Sequence, residues 1–255
     1  MSEVIRTDSG NAAVLTLSNE AKLNALTSAM LQQLESHLIE IERANHIRAV
    51  ILTGAGSKIF CCGADIAEWG GLLPHEFARH WIREGHRVFD RLARFGKPTI
   101  GAINGHAFGG GLELAACCDI RVMSPNANLA LPEAKVGIVP GWSGTQRLAR
   151  LLPEPVVKEM ALFGRRISAS RACAFGFATV EVENVLECAS EIAASLGNIS
   201  FQSNEVTKAM IHAAVGEDRA AAVEALGGAL ASHSADRAEG VAAFLEKRQP
   251  QFTGQ

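Results

Sequence analysis

The chain has 255 residues, 48% hydrophobic and 20% charged; this allows one large domain, or one with a smaller appendage, and excludes a disordered, collagen-like or coiled-coil chain. Lys and Arg number 24 against 27 Asp and Glu, a net charge of -3, so electrostatics give no reason to expect nucleic acid or an anionic membrane as partner. No apolar run reaches the roughly 20 residues that span a bilayer, and the start MSEVIRTDSGN lacks a signal- or transit-peptide plan, so a cytoplasmic protein is expected.

Residues 12–17 (AAVLTL) read as a strand, and 49–53 (AVILT) as a second that ends at Gly54. Between them Met30, Leu31, Leu34, Leu38 and Ile41 recur at spacings of three and four, predicting a helix over 27–46 with Thr27 as its N-cap. A further amphipathic helix is predicted at about 75–95, then the strand PTIGAI (98–103), a short apolar helix LELAACC opened by Gly109–Gly111, and strands at 119–124 and 128–131. Past about residue 140 strand signals fade. Helices are predicted at 143–152, 154–163, 168–176, 185–197, 201–215, 218–232 and 236–249. The α/β alternation therefore gives way to helices, with a packed boundary near 190 dividing an α/β core (1–190) from a helical region (191–255).

Several familiar motifs fail on inspection. The six cysteines form no C-x-x-C and read as buried small hydrophobes in a reducing compartment. Gly54-Ala55-Gly56 lacks the third glycine of a dinucleotide fingerprint, and Gly141-Trp142-Ser143-Gly144-Thr145 has threonine where a nucleophile elbow needs glycine. Ser143 reads instead as a helix cap. The eight histidines show no metal-binding spacing, so no metal site is expected.

Three segments exceed what packing alone requires. Phe60 to Ile66 follows a strand and its glycine turn, with small residues that let a ligand approach the backbone and Asp65 as a candidate cap. In Asn104 to Glu113 three glycines precede a helix, whose free N–H groups attract negative charge. The third runs from Leu131-Pro132-Glu133 to Pro140-Gly141. Glu113 and Glu133 both stand among apolar residues, where a carboxylate must find a partner or have its pKa raised by desolvation. A pair of acid/base groups is one reading; core glutamates paired with an Arg such as Arg121 or Arg147 is the other.

Leu23-Asn24-Ala25-Leu26, F-x-x-G-A-D-I at 60–66, N-G-x-A-x-G-G-G-x-E-L at 104–114, D-I-R at 119–121, P-E at 132–133, P-G-x-x-G-T-Q-R-L at 140–148 and E-G-V-A-A-F-L-E-K-R at 239–248 resemble, in order, the enoyl-CoA hydratase/isomerase (crotonase) superfamily. The resemblance implies an α/β spiral of β-β-α units followed by a C-terminal helical trimerisation region, commonly assembled as a homotrimer or a dimer of trimers (homohexamer). It implies an acyl-CoA thioester substrate, coenzyme A being part of the substrate with no further cofactor, and an enolate held by the backbone N–H groups of Ala64 and Gly110. By the same resemblance Glu113 activates the water that adds to Cβ, Glu133 exchanges the proton at Cα, and the Gly141 N–H positions the water. Lys22, Asn24, Ala25, Ala64, Asp65 and Ile66, with Phe244 and Lys247 reaching a neighbouring subunit's CoA, match the family's CoA contacts.

Two departures stand out. Ala67 replaces a lysine that contacts the nucleotide in many members, and Trp142-Ser143 replaces two small residues, so that an indole beside the water site narrows the acyl pocket. Both glutamates together point to reversible hydration of a trans-2-enoyl-CoA, with double-bond isomerisation or a carnitinyl-CoA-type dehydration as the alternative. Relatives that bind RNA use a Lys-rich helix, whereas the helix at 27–46 contains only Arg43 among Lys and Arg.

Overall fold

The protein is described by a computed structural model covering residues 2–216 and 219–255. Its strands are β1 (Glu3–Ser9), β2 (Ala12–Ser18), β3 (Ala49–Gly54), β4 (Ile59–Cys61), β5 (Thr99–Ile103), β6 (His106–Phe108), β7 (Ile120–Met123), β8 (Asn128–Ala130), β9 (Ile167–Ser168) and β10 (Val180–Glu181). A larger sheet has the order β1-β2-β3-β5-β7-β10 and a smaller one β4-β6-β8-β9. β1 runs antiparallel to β2, with Glu3 opposite Ser18, and β2, β3, β5, β7 and β10 are mutually parallel. In the smaller sheet β4, β6 and β8 are parallel and β9 is antiparallel. Successive pairs β3–β4, β5–β6 and β7–β8 each step from the larger sheet to the smaller before the chain turns back. This is the β-β-α spiral implied by the resemblance.

The helices are α1 (Ser28–Arg43), α2 (Ile66–Trp69), α3 (Pro74–Glu76), a π-helical stretch (Phe77–Ile82) that continues into α4 (Arg83–Ala93), α5 (Gly110–Ala115), α6 (Gly144–Leu151), α7 (Glu154–Phe163), α8 (Ala169–Ala174), α9 (Val185–Ser195), α10 (Phe201–Ala214), α11 (Arg219–Ser232) and α12 (Ala235–Glu246). The helix predicted over 218–232 begins in residues outside the described range. No described helix is long and apolar enough to cross a membrane.

Alternation along β2 and β3 explains the layering. Ala12, Val14, Ala49 and Ile51 face Val185, Ala189 and Ala193 of α9, while Ala13, Leu15, Val50 and Leu52 join the cluster that holds α1. β3 is accordingly buried at every position, as a parallel strand covered on both faces must be. α1 starts where predicted, Thr27 accepting the Met30 N–H at 3.2 Å, and buries Met30, Leu31, Leu34, Leu38 and Ile41.

At the far end of α1 the buried Lys97 donates to the carbonyls of Ile41 (2.6 Å) and Ala44 (2.7 Å), with its ammonium 5.5 Å from the centre of the Phe201 ring. Lys97→Met fits the site but leaves those carbonyls without this donor. It is expected to lower unfolding free energy by about 1–3 kcal/mol, measured by urea titration. An unchanged midpoint would show that the N–H groups of Ala44 and Ile47, which the same two carbonyls accept, satisfy them without the ammonium.

Five strands lie outside the predicted elements. β1 is an edge strand, mostly open to solvent, with only Val4 buried. β4 and β6 have three residues each, too few to display a period; β4 occupies Phe60-Cys61, read from sequence as part of a turn. β9 and β10, two residues each, correct the expectation that strands end near residue 140. The chain divides into two compact units, Met1–Phe201 and Gln202–Gln255, so the division falls beyond α9 rather than at 190.

Candidate active site

The smaller sheet delivers three turns in succession to one cavity of about 190 Å³, lined by Ala64, Gly110, Glu113, Glu133, Gly141 and Trp142 among others. After β4, Gly63 at φ 110 turns the chain so that Ala64 follows; after β6, Gly109 at φ 51 does the same for Gly110. Only glycine adopts these conformations without strain. A Cβ on Gly63 would lie 3.2 Å from the Gly110 nitrogen, and one on Gly110 would lie 3.5 Å from the Ala64 nitrogen, so the two amides are neighbours. Leu26 N–H binds the Gly63 carbonyl and Asp65 N–H the Leu26 carbonyl, which fixes the peptide between them. Neither the Ala64 nor the Gly110 N–H has an acceptor among the described residues. Two adjacent, prealigned amides in a cavity wall, with no acceptor among the described residues, are an arrangement able to receive an oxyanion.

Glu113 projects from α5 and is 2% exposed. Its Oε1 accepts the N–H groups of Trp142 (2.8 Å) and Gly144 (2.7 Å). Burial raises its pKa, while the amides of Trp142, Gly144 and Gly141 oppose that rise. Glu133, in the 3₁₀ turn after β8, is 8% exposed, and neither carboxyl oxygen has a partner among the described residues. Desolvation, reinforced by the nearby Glu113, pushes its pKa from 4.5 to about 7. One carboxylate is thus fixed by amides, and the other is close to half-protonated at neutral pH.

The competing reading of arginine-paired glutamates is corrected here. Arg121 donates to the carbonyls of Phe177, Cys118 and Asp119, and Arg147 is ion-paired with Asp90 and donates to the Trp142 carbonyl at 3.2 Å. Ser143 does stand at the N-cap position of α6, at φ 70, but caps nothing with its side chain; its hydroxyl is bonded to His86 Nε2, and His86 Nδ1 lies 3.3 Å from Asp90. His86, Asp90 and Arg147 therefore brace the loop whose amides hold Glu113. Nothing in the sequence singled out His86 or Asp90, because both belong to α4, some fifty residues from the loop they support.

The Lys22 ammonium meets Asp65 at 2.6 Å, and Asp65 also caps α2 by accepting the Ala67 N–H at 3.1 Å. The ammonium holds the Asp65 pKa below its ordinary value. Asn24, 1% exposed, donates to the carbonyls of Ala55 and Ile59, and Ala25 is buried. Ile66 is exposed and lines the cavity mouth. Phe244 and Lys247 belong to the second unit, where Phe244 is exposed and Lys247 ends α12 at φ 55. The apolar walls given by Trp69, Phe77, Trp81, Ile82 and Val139 are not singled out by any motif.

A family model described as enoyl-CoA hydratase/isomerase matches residues 7–255. The chain belongs to that family. It is 36% identical over 255 residues to the short-chain-enoyl-CoA hydratase of Clostridium acetobutylicum, with 98% of this chain and 97% of that one covered. Identity to the (E)-benzylidenesuccinyl-CoA hydratase of Thauera aromatica is 35%, with 96% and 97% covered. The crystal structure of an enoyl-CoA hydratase from Bacillus anthracis superposes with a TM-score of 0.80 at 34% identity, covering 99% of both chains. The mixed α/β spiral is thus the fold of enoyl-CoA hydratases, and the names borne by these relatives are those of lyases acting on CoA thioesters.

Proposed function

We propose that this chain is an enoyl-CoA hydratase, adding water reversibly to a trans-2-enoyl-CoA to give the 3-hydroxyacyl-CoA. The observation that carries the reading is one cavity holding two buried carboxylates of unlike environment beside two unpaired amides. The thioester oxygen is received by the Ala64 and Gly110 N–H groups, which stabilise the charge that develops on it as Cβ is attacked. Glu113 accepts a proton from the attacking water, which the Gly141 N–H helps to place. Glu133, protonated at the start, delivers its proton to Cα. Oxygen and one hydrogen end on Cβ, the second hydrogen ends on Cα, and proton exchange between the carboxyl groups and solvent resets the pair. Division of acid and base work between carboxyls in different environments is the way such chemistry proceeds at one pH.

Lys22, Asn24, Ala25, Ala64, Asp65 and Ile66, with Phe244 and Lys247 from a neighbouring subunit, are the proposed CoA-binding residues. The reading brings with it a cytoplasmic homotrimer or homohexamer that needs no cofactor beyond the CoA of its substrate. Exposure of Phe244, Leu245, Leu230 and Phe252 in the second unit supports burial of that unit against other subunits.

The test is the enoyl absorbance of crotonyl-CoA in ¹⁸O-labelled water. Loss of absorbance with label in the 3-hydroxy product is the expected result. Unchanged crotonyl-CoA, together with conjugation formed from a 3-enoyl thioester without label, would replace hydration by isomerisation.

A further inference from the structure

The Trp142 indole lines the cavity together with the proposed oxyanion amides and both glutamates. Its six-membered ring abuts the oxyanion turn, since a Cβ on Gly110 would lie 2.9 Å from Trp142 Cζ3. Its other end rests on α4, where a Cβ on Gly85 would lie 2.3 Å from both Cε2 and Nε1. The ring is 2% exposed, packs edge-on to Phe89 at 4.9 Å and tilted to Trp81 at 5.4 Å, and its Nε1 points to the Trp81 carbonyl at 3.4 Å. It nonetheless forms part of the cavity wall. An indole wedged between α4, Trp81, Phe89 and the Gly110 turn cannot swing away from the cavity to admit a longer chain, because closely packed interiors transmit strain rather than absorb it.

We propose that Trp142, seated on Gly85, sets the length of the acyl group: the chain takes short linear enoyl thioesters such as crotonyl and excludes long ones such as decenoyl. The inference rests on the hydratase reading, and the wall position of Trp142 makes its ring a specificity-determining group rather than a catalytic one. Gly85 is the second half of the device. A side chain at 85 would overlap the indole, its Cβ 2.3 Å from Cε2 and Nε1, and would displace the ring from its seat on α4.

The two residues give variants that move selectivity in opposite directions. Trp142→Ala is expected to raise the decenoyl-to-crotonyl ratio of kcat/KM by at least about tenfold, the discrimination that an apolar pocket gives for a methylene or more. Gly85→Ala is expected to lower the hexenoyl-to-crotonyl ratio, because the added methyl pushes the ring inward. Trp142→Phe, which keeps an aromatic wall, serves if the alanine variant does not fold. Wild type that hydrates decenoyl-CoA as well as crotonyl-CoA, or a folded Trp142 variant with an unchanged ratio, would overturn the proposal. Binding of butyryl-CoA and decanoyl-CoA, followed by calorimetry, reads the same gauge without chemistry. Inactivity on every enoyl thioester with butyryl-CoA still preferred would sink the hydratase reading alone; equal binding of both would sink the gauge.

Discussion

Glu133→Gln is expected to lower kcat for crotonyl-CoA hydration by about 10²–10⁴-fold, the usual contribution of a positioned acid or base, and to make the protein more stable above neutral pH. The first effect follows from removing the proton that Cα receives. The second follows from burial without a partner. Folding raises the Glu133 pKa from 4.5 to about 7, so the folded chain binds more protons than the unfolded one between those values. Stability from this group is complete below pH 4.5, falls as pH rises, and is lost above about 7, a deficit of about 3 kcal/mol. A neutral amide of the same shape does not ionise. The variant should therefore match wild type in guanidinium unfolding near pH 4 and exceed it by up to about 3 kcal/mol at pH 8. A variant less stable than wild type at pH 8 would mean that the carboxylate is satisfied there, and its role as the acid would fall with its raised pKa.

Glu113 differs in having two amide donors on its carboxylate. Glu113→Gln keeps an oxygen for the N–H groups of Trp142 and Gly144 but cannot take a proton from water, so kcat should fall by about 10²–10⁴-fold with the fold retained. Glu113→Ala orphans both buried amides, each at about 1–3 kcal/mol, and should lose about 2–6 kcal/mol of stability besides its activity. Unfolding of the two variants at one protein concentration separates base from brace. Equal destabilisation by Gln and Ala would show that the negative charge, not the acceptor oxygen, holds the loop at 141–144. Normal turnover by the Gln variant would remove Glu113 from the reaction.

The parts of this fold legible in sequence are those with a long period. α1 declares itself through Met30, Leu31, Leu34, Leu38 and Ile41, all buried, and β3 through an unbroken apolar run. β4 and β6 do not, because three residues carry no period, yet these are the strands that aim Ala64 and Gly110. Glycines at 63 and 109 mark the turns in advance, through the conformations that only they accept at no cost. Glu113 and Glu133 attract notice as charges in apolar company, but their shared cavity depends on the order of the smaller sheet, which no local pattern encodes. The brace of His86, Asp90 and Arg147 is invisible for the same reason, being a contact between α4 and a loop distant in sequence. Ser143 shows the reverse failure: its cap-like position is correct, but tertiary structure redirects its hydroxyl to His86.

The spiral also separates the parts of the site along the chain. β4 and β6 lead to the paired amides, whereas Glu133 and the loop that grips Glu113 both lie between β8 and α6. Glu133 and the Trp142 amide that holds Glu113 are thus carried on a different stretch of polypeptide from the paired amides, although Glu113 itself shares α5 with Gly110. Exchange of the thirteen or so residues joining β8 to α6 could redirect the fate of the enolate while leaving its receptor intact. A scaffold partitioned in this way can change the reaction it performs by revising one connection, without renegotiating how it seizes the carbonyl.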